Sequence, residues 1–499
     1  MNNRQPILKL HLRLNRGGLM AYSDYEIVIG LEVHSELKTK TKIFCDCTTE
    51  FGGEPNTHCC PICTGMPGTL PVLNGKVVEY AIKAGLATGC KINQNSKQDR
   101  KNYFYPDLPK AYQTSQYDLP LCYEGHLDIE VGDKIKRIGI TRIHIEEDAG
   151  KLNHEVSGTL VDYNRCGVPL IEIVTEPDLR SPEEVRALMT KLRTILLYAD
   201  VSDCKMNEGS LRCDVNLSVR KKGSTVLGTR TEMKNINSFN FAQKAAEYEA
   251  KRQIKVIEEG GKIIQETRRW DEAKGITVSM RSKEEAHDYR YFPCPDLMPI
   301  ITTDETLELL KASIPELPDS RIKRYMESDA LSFYDASLIT ASKHISDYFD
   351  EACSVTNNKK GIANILISEA FGRLNEDEKE AFNINITPTH LGKLAELVDK
   401  NIISSSAAKK VFSIMWETDE DPTLIVDKEG LTQISDDGAL REIALNVIDK
   451  NEKAVADYLS GKEAAVQSLV GQMMKETKGK ANPKMVIDLL KSILDTMKS

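Results

Sequence analysis

No stretch of the 499-residue sequence approaches the roughly 20 apolar residues that a membrane-spanning helix needs, so a membrane span is not expected. A positive balance is missing as well. There are 66 Lys and Arg against 75 Asp and Glu, for a net charge of −9. Proteins that coat nucleic acid are usually basic, so any RNA contact here must use local patches or a partner. Neither a Walker A pattern (GxxxxGKS or GxxxxGKT) nor GxGxxG occurs. A bound nucleotide would therefore have its phosphates held by metal and basic side chains instead of a glycine-rich loop. The first twenty residues contain no acid; Arg4, Lys9, Arg13 and Arg16 precede Met20. A basic, acid-poor start suits a targeting segment, but Lys9, His11 and Arg13 interrupt the leucines, so a secretory h-region is absent. The plainer reading is an upstream start codon ahead of Met20.

What is present is an ordinary globular composition, 40% hydrophobic and 28% charged, in a chain too long for one core. Two to four domains are expected. Residues 22–314 are rich in glycine, cysteine and short alternating strands. Residues 315–417 read as helices, entered through the two prolines of IPELPD. After the acidic break WETDEDPTLIVDKEG, residues 430–499 form a small helical unit ending in KMVIDLLKSILDTM. No repeat or low-complexity tract is visible.

Seven of the twelve cysteines (Cys90, Cys122, Cys166, Cys204, Cys213, Cys294, Cys353) are scattered singly, and five cluster between Cys45 and Cys63. Clustering suits a metal site in a reduced cytosol better than disulfides. The run FCDCTTEFGGEPNTHCCPIC sets Cys45-x-Cys47 before Cys60-x-x-Cys63, the spacing of a tetrahedral structural Zn²⁺. His58 and Cys59 are possible substitutes for Cys60. Such a closed site has no room for substrate, so it pins the loop 45–63 and takes no part in chemistry.

Alternate side chains of a strand point to opposite faces, so parity sorts the polar residues. In EIVIGLEVHSEL, Glu32, His34 and Glu36 oppose the apolar Ile27, Ile29, Leu31 and Val33. In SLRCDVNLSVR, Arg212, Asp214 and Asn216 oppose Cys213, Val215 and Leu217. Arg230, Glu232 and Lys234 share a face in GTRTEMKN, as do Arg142, His144, Glu146 and Asp148 in ITRIHIEEDAG. One such strand is an ordinary half-solvated strand of an antiparallel sheet. Four of them, bearing acids, imidazole and arginine where a solvated face carries Lys and Thr, point to carboxylates converging around a divalent cation, Mg²⁺ or Mn²⁺.

The motifs IGLEVHSEL, KNYFYPDLPKAYQTSQYDLP, RIHIEEDAGK, DYNRCGVPLIEIV, EGSLRCDVNLSVR, GTRTEMKNINSF, QETRRWDE and DYRYFPCPDL run in order from residue 29 to 297. Together they resemble the B-subunit family of the aspartyl/glutamyl-tRNA amidotransferases, and the likeness spans all but the first twenty residues. The resemblance implies an α+β fold: an N-terminal extension (1–21), a cradle-like catalytic domain on an antiparallel sheet (22–314), an all-α helical domain (315–417) and a YqeY-like tail (430–499). It implies a ligase that transfers the γ-phosphoryl of ATP to the carboxylate of Glu or Asp esterified to tRNA. Ammonia from an amidase-type A subunit then displaces the phosphate. The implied assembly is a cytoplasmic heterotrimer with the A subunit and a small C subunit, its helical and tail domains gripping tRNA(Gln) or tRNA(Asn). The family's Mg²⁺ ligands fall on Glu32, His34, Glu147, Asp214 and Glu232. Parity favours Glu146 and Asp148 over Glu147; a β-bulge after Ile145 would reconcile the two, so all three stay candidates. Cys45, Cys47, Cys60 and Cys63 match the zinc-bearing branch of the family. Lys101, Lys205, Arg212 and Arg230 are candidates to offset phosphate charge.

For RNA, Lys475, Lys478, Lys480 and Lys484 crowd ten residues of the tail. Lys409, Lys410, Lys359 and Lys360 add smaller patches suited to phosphate contacts. Three rival readings are weighed. In a non-catalytic zinc- and RNA-binding scaffold the acidic cluster is merely solvated, and phosphate release from ATP by the assembled complex, lost on changing Glu147 or Asp214, discriminates. The archaeal E-subunit paralogue carries a large inserted domain, whereas only about 20 residues separate DYRYFPCPDL from IPELPD here. A glutaminase would need the amidase Ser-Ser-Lys signature or a Cys–His nucleophile motif, and neither is found.

Overall fold

Period-two alternation builds the central element of the structure, a computed structural model describing residues 24–282, 288–375, 379, 382–434, 437–477 and 480–498. The basic N-terminal stretch and Lys478 lie outside the described residues. Nine strands form one sheet: β1 (Tyr25–Glu36), β2 (Lys91–Ile92), β3 (Cys122–Val131), β4 (Lys134–Glu147), β5 (Pro169–Thr175), β6 (Leu211–Lys221), β7 (Thr231–Lys234), β8 (Glu266–Asp271) and β9 (Ile276–Ser282). Their order across the sheet is β9-β8-β7-β6-β1-β5-β4-β3-β2. The long β1 sits at the centre, pairing antiparallel with both β5 and β6.

The expected antiparallel sheet holds with one correction: β7 and β8 run parallel. The cause lies between them, where the chain crosses over through a helix, the connection a parallel pair requires. Three helices matter for this unit: α1 (Gly75–Ala87), α2 (Pro182–Tyr198) and α3 (Phe239–Glu258). Each starts on a side chain that caps a free backbone N–H, namely Asn74, Ser181 and Ser238. Pro182 at the first turn of α2, followed by Glu183 and Glu184, completes a favourable N-terminus. α1 packs on β3 and β4, α2 on β3, and α3 on β6 and β9. They cover the apolar face, where Ile29, Leu31, Val33, Cys213, Val215 and Leu217 are buried. Gly85 of α1 permits the close approach, since a Cβ there would lie 2.4 Å from Cys122 Sγ.

The chain divides into two compact units, residues 1–317 and 318–499. The first holds the sheet and its single core. The second holds two separate apolar cores, one drawn from Tyr325 to Val426 and one from Leu440 to Leu494. Among the described residues, every regular element from Asp304 onward is helical, apart from an isolated bridge between Ile434 and Ala481. No helix among the described residues is long and apolar enough to cross a membrane.

Candidate functional site

With the apolar face under helices, the other face presents the polar residues of five neighbouring strands, and cross-strand register decides which of them meet. Glu32 of β1 sits opposite Asp214 of β6, and Asn216 sits opposite Glu232 of β7. On the other flank, His34 sits opposite Glu172 of β5, which in turn faces His144 of β4. Two groups result. Glu32, Asp214 and Glu232 form one triad and His34, Glu146 and Glu172 the other; within each triad the ligand atoms lie within 4.8 Å of one another.

The second triad is tightly braced. His34 Nε2 is 3.4 Å from Glu172, and His144 Nε2 is 3.2 Å from Glu146 and 3.7 Å from Glu172. Ser115 Oγ and Gln113 Nε2 donate to the two oxygens of Glu146 at 2.7 and 3.1 Å, fixing its orientation. Lys101 Nζ stands 3.9 Å from Glu146. Burial pushes both carboxyls up, but Lys101 and His144 at Glu146, and the two imidazoles at Glu172, outweigh it and hold both below the usual carboxylate range.

In the first triad Lys234 stands between two acids, with Nζ 2.5 Å from Asp214 and 3.2 Å from Glu232. Asn216 Nδ2 donates to Glu32 at 3.0 Å, and Thr267 Oγ1 to Glu232 at 2.9 Å. Burial, then repulsion from Glu172, Glu232 and Asp214, pushes the Glu32 carboxyl up despite Lys234. Five carboxylates thus face two ammonium groups and two imidazoles, with His144 Nδ1 buried and lacking a partner. Such an oxygen-rich set, short of positive charge, fits a hard divalent cation.

Several candidates lie elsewhere. Glu147 is turned away from both triads: both its oxygens accept from Lys110 Nζ at 2.5 and 2.6 Å, and Thr114 N donates to it at 2.7 Å. Register runs unbroken from Ile145 to Glu147 opposite Ile171 to Pro169, so no bulge shifts the parity there. Asp148 joins a third cluster with Glu36, Arg212 and Arg165. Arg212 donates to it through both terminal nitrogens, and Arg165 Nε lies at 3.3 Å. Burial and the neighbouring Asp148 push the Glu36 carboxyl up to about 8. Arg212 is therefore engaged at the edge of the face. Lys205 pairs with Glu208 at 3.0 Å and Asp203 at 3.8 Å in a connecting turn. Arg230 is exposed ahead of β7, because the strand begins only at Thr231. Of the four cation candidates, Lys101 stands beside a triad, at Glu146.

Parity set His144 and Lys234 on the polar faces without naming them as site residues, and sequence reasoning passed over Glu172 altogether. The signal for Glu172 was present: it is the one charged residue in the apolar strand PLIEIVT.

The cysteine run forms a knot of its own. The sulfurs of Cys45, Cys47, Cys60 and Cys63 all lie within 4.8 Å of one another, near the roughly 3.8 Å separation that 2.3 Å Zn–S bonds in a tetrahedron require. Lys42, fully buried, sits 3.8 Å from Cys63 Sγ. A hydrogen bond from Cys45, aided by Lys42, pulls the Cys63 thiol down to about 5, as a thiolate ligand needs. Cys60, and not Cys59 or His58, belongs with Cys45, Cys47 and Cys63 in the group whose ligand atoms come together, and Cys59 Sγ donates instead to Asn56 O. Of the basic patches, Lys359, Lys409 and Lys410 are already paired with Asp329, Glu369 and Glu429.

Comparison with known proteins places this architecture. The GatB/GatE catalytic domain family matches residues 27–308, and the GatB domain family matches residues 347–494. The B subunit of the aspartyl/glutamyl-tRNA(Asn/Gln) amidotransferase of Caldicellulosiruptor saccharolyticus is 62% identical over 477 residues, 95% of this chain and 99% of that protein. The corresponding B subunits of Thermoanaerobacter pseudethanolicus and Brevibacillus brevis are 60% and 54% identical over 94% and 95% of the chain, covering 99% and 100% of their own lengths. The chain belongs to the family of aspartyl/glutamyl-tRNA(Asn/Gln) amidotransferase B subunits, components of a ligase-type enzyme.

Proposed function

We propose that this chain activates the side-chain carboxylate of Glu or Asp on misacylated tRNA(Gln) or tRNA(Asn) and hosts its amidation. The observation that carries this reading is the pair of carboxylate triads on one polar face. In the proposed reaction, an oxygen of the substrate carboxylate attacks the γ-phosphorus of ATP and ADP departs. Ammonia then attacks the activated carbonyl carbon and inorganic phosphate leaves, giving the amide. A carboxylate is a poor electrophile, and phosphorylation provides the leaving group it lacks.

The residues that would hold Mg²⁺ are Glu32, Asp214 and Glu232 on one side and His34, Glu146 and Glu172 on the other. Bound there, the ion supplies positive charge for the phosphoryl oxygens. Lys101 and Lys234 project ammonium groups at the two triads, where charge on the transferred group develops. Ser115, Gln113, Asn216 and Thr267 hold the carboxylates in place, so that no reorganisation is needed during the reaction. The four-thiol knot takes Zn²⁺ as a structural ion. Ammonia is supplied by an amidase-type A subunit and the small C subunit wraps the pair, in a cytoplasmic heterotrimer in which the cradle-like catalytic domain carries the chemistry and the helical and tail domains grip tRNA.

The test is Asp214→Ala in the assembled complex, assayed with ATP and free ammonium replacing glutamine. Loss of one well-placed electrostatic contact costs on the order of 10²–10³ in rate. Amide formation and tRNA-dependent ATP hydrolysis should fall by that factor, while glutaminase activity of the A subunit persists. Normal transamidation by this variant would falsify the assignment.

A further inference from the structure

Beside the triad of His34, Glu146 and Glu172 stands a wall of tyrosines that none of the steps above uses. Tyr103 follows the strand Asp99–Asn102, Tyr117 follows the strand Tyr112–Ser115, and Tyr289 and Tyr291 precede the strand Phe292–Pro293. These three strands pair in one small sheet, so distant stretches of chain deliver four rings to one place. Tyr117 and Tyr291 lie face to face, with centroids 4.4 Å apart and planes 11° from parallel. Tyr289 meets Tyr291 edge-on at 6.0 Å, and Tyr103 meets Tyr289 edge-on at 5.8 Å. The wall is joined to the triad by Lys101, whose Nζ is 5.2 Å from the Tyr289 ring centre, 5.9 Å from that of Tyr103 and 3.9 Å from Glu146.

A stack that served only the fold would sit beneath other side chains. Tyr117 is instead 55% exposed, at the open end of a parallel pair held from behind by edge contacts. Preordered rings cost little entropy to present, and every nucleobase has a π-face to lay on them. The position matters as much as the chemistry, because the wall stands next to the residues assigned to an anionic phosphoryl group. We propose that the Tyr117–Tyr291 stack is the platform for an adenine ring, with the rest of that ligand directed past Lys101 toward the triads. The proposal rests on the phosphoryl-transfer reading above. Adenine reaches this site from one of two sources, ATP or the 3′-terminal adenosine that carries the esterified amino acid, and the recognition chemistry is the same for both.

The experiment uses the assembled heterotrimer with Tyr117→Ala and Tyr117→Phe. Binding is read directly for ATP, for inorganic tripolyphosphate as a base-free probe, and for tRNA with and without its 3′-terminal adenosine. Tyr117→Ala should weaken one adenosine ligand by roughly 5- to 150-fold, the worth of one stacked base, and leave tripolyphosphate binding unchanged. Tyr117→Phe, which keeps the ring, should restore the affinity. Loss confined to ATP identifies the nucleotide as the source. Loss confined to full-length tRNA, down to the level of tRNA lacking the terminal adenosine, identifies the acceptor end. Unchanged binding of both ligands by Tyr117→Ala, or an equal loss for tripolyphosphate, overturns the proposal. Failure of the phosphoryl-transfer reading would show separately, as transamidation by the unaltered complex without ATP.

Discussion

At the scale of single residues, parity and register divide the work of locating the site. Parity alone separates Glu146, on the triad face, from Glu147, which pairs with Lys110. It cannot say which polar residues of different strands meet, because that depends on how the strands slide against each other. The split of the acids into two triads is a property of register, set by Glu32 opposite Asp214 and His34 opposite Glu172. Glu172 escaped notice because its strand, buried on both faces, has no polar run to mark it. A measurement separates the roles of these neighbours. With Mn²⁺ as a spectroscopic probe, Glu146→Gln and Glu172→Gln should weaken cation binding by about tenfold or more, since each removes a charged oxygen donor. Glu147→Gln should leave Mn²⁺ affinity nearly unchanged. Equal loss for Glu146→Gln and Glu147→Gln would show that the Glu147 side chain swings to the face when the ion binds.

Elements of the catalytic unit carry two further expectations. The first concerns the four-cysteine loop, which braces its surroundings: Asn56 donates to Val161 O of the hairpin 151–162 at 3.0 Å, and Asn164, just past that hairpin, donates to Glu54 O at 2.7 Å. Purified protein should contain about one Zn²⁺ per chain. Cys45→Ser should lose the metal and melt earlier, while the triads, built on other strands, keep their cation affinity. Metal analysis and a melting curve check both, and zinc-free protein of unaltered stability would count against a structural ion. The second concerns α3, whose crossover position makes β7 and β8 parallel. The sequence motif GTRTEMKN shows a strand but nothing in it announces its neighbour's direction, so the parallel pair was not legible. Glu249 of α3 anchors this junction. It is fully buried, bonded to Arg252 at 2.6 and 2.9 Å, to Thr231 and to Thr277, with Arg268 at 3.3 Å. Burial pushes its carboxyl up, but Arg252 and the hydroxyl donors prevail and hold it below its usual value. Its stabilising contribution is present above the unfolded carboxyl value of about 4.5 and is lost as pH falls below that. Glu249→Gln should thus cost about 1–3 kcal/mol at neutral pH, with the difference from the unaltered protein shrinking in acid. A difference that stays constant down through that range would mean the carboxylate charge contributes nothing.

At the scale of the whole molecule, three apolar cores lie in succession along the chain. The last core, from Leu440 to Leu494, is a cluster separate from the one built between Tyr325 and Val426. A domain with its own core can be removed without unfolding the rest. The tail also carries Lys475, Lys480 and Lys484, with Lys478 between them in the sequence, and no salt bridge engages the three among the described residues. Lys359, Lys409 and Lys410, by contrast, are held in ion pairs and have less charge to offer phosphate. Truncation after residue 430 should therefore remove a phosphate-binding patch and spare the sheet that carries the triads. Salt dependence makes the prediction quantitative. Each phosphate neutralised by a lysine releases a condensed counterion and adds about 0.9 to the slope of log affinity against log salt. Loss of three or four such lysines should flatten that slope by about 3–4 units and weaken tRNA binding at low salt most of all. Cation binding at the triads, read with Mn²⁺, should be the same in the truncated and full-length chains. An unchanged slope would remove the tail from the tRNA interface. A slope that flattens together with a loss of Mn²⁺ binding would mean that the catalytic unit needs the tail to fold.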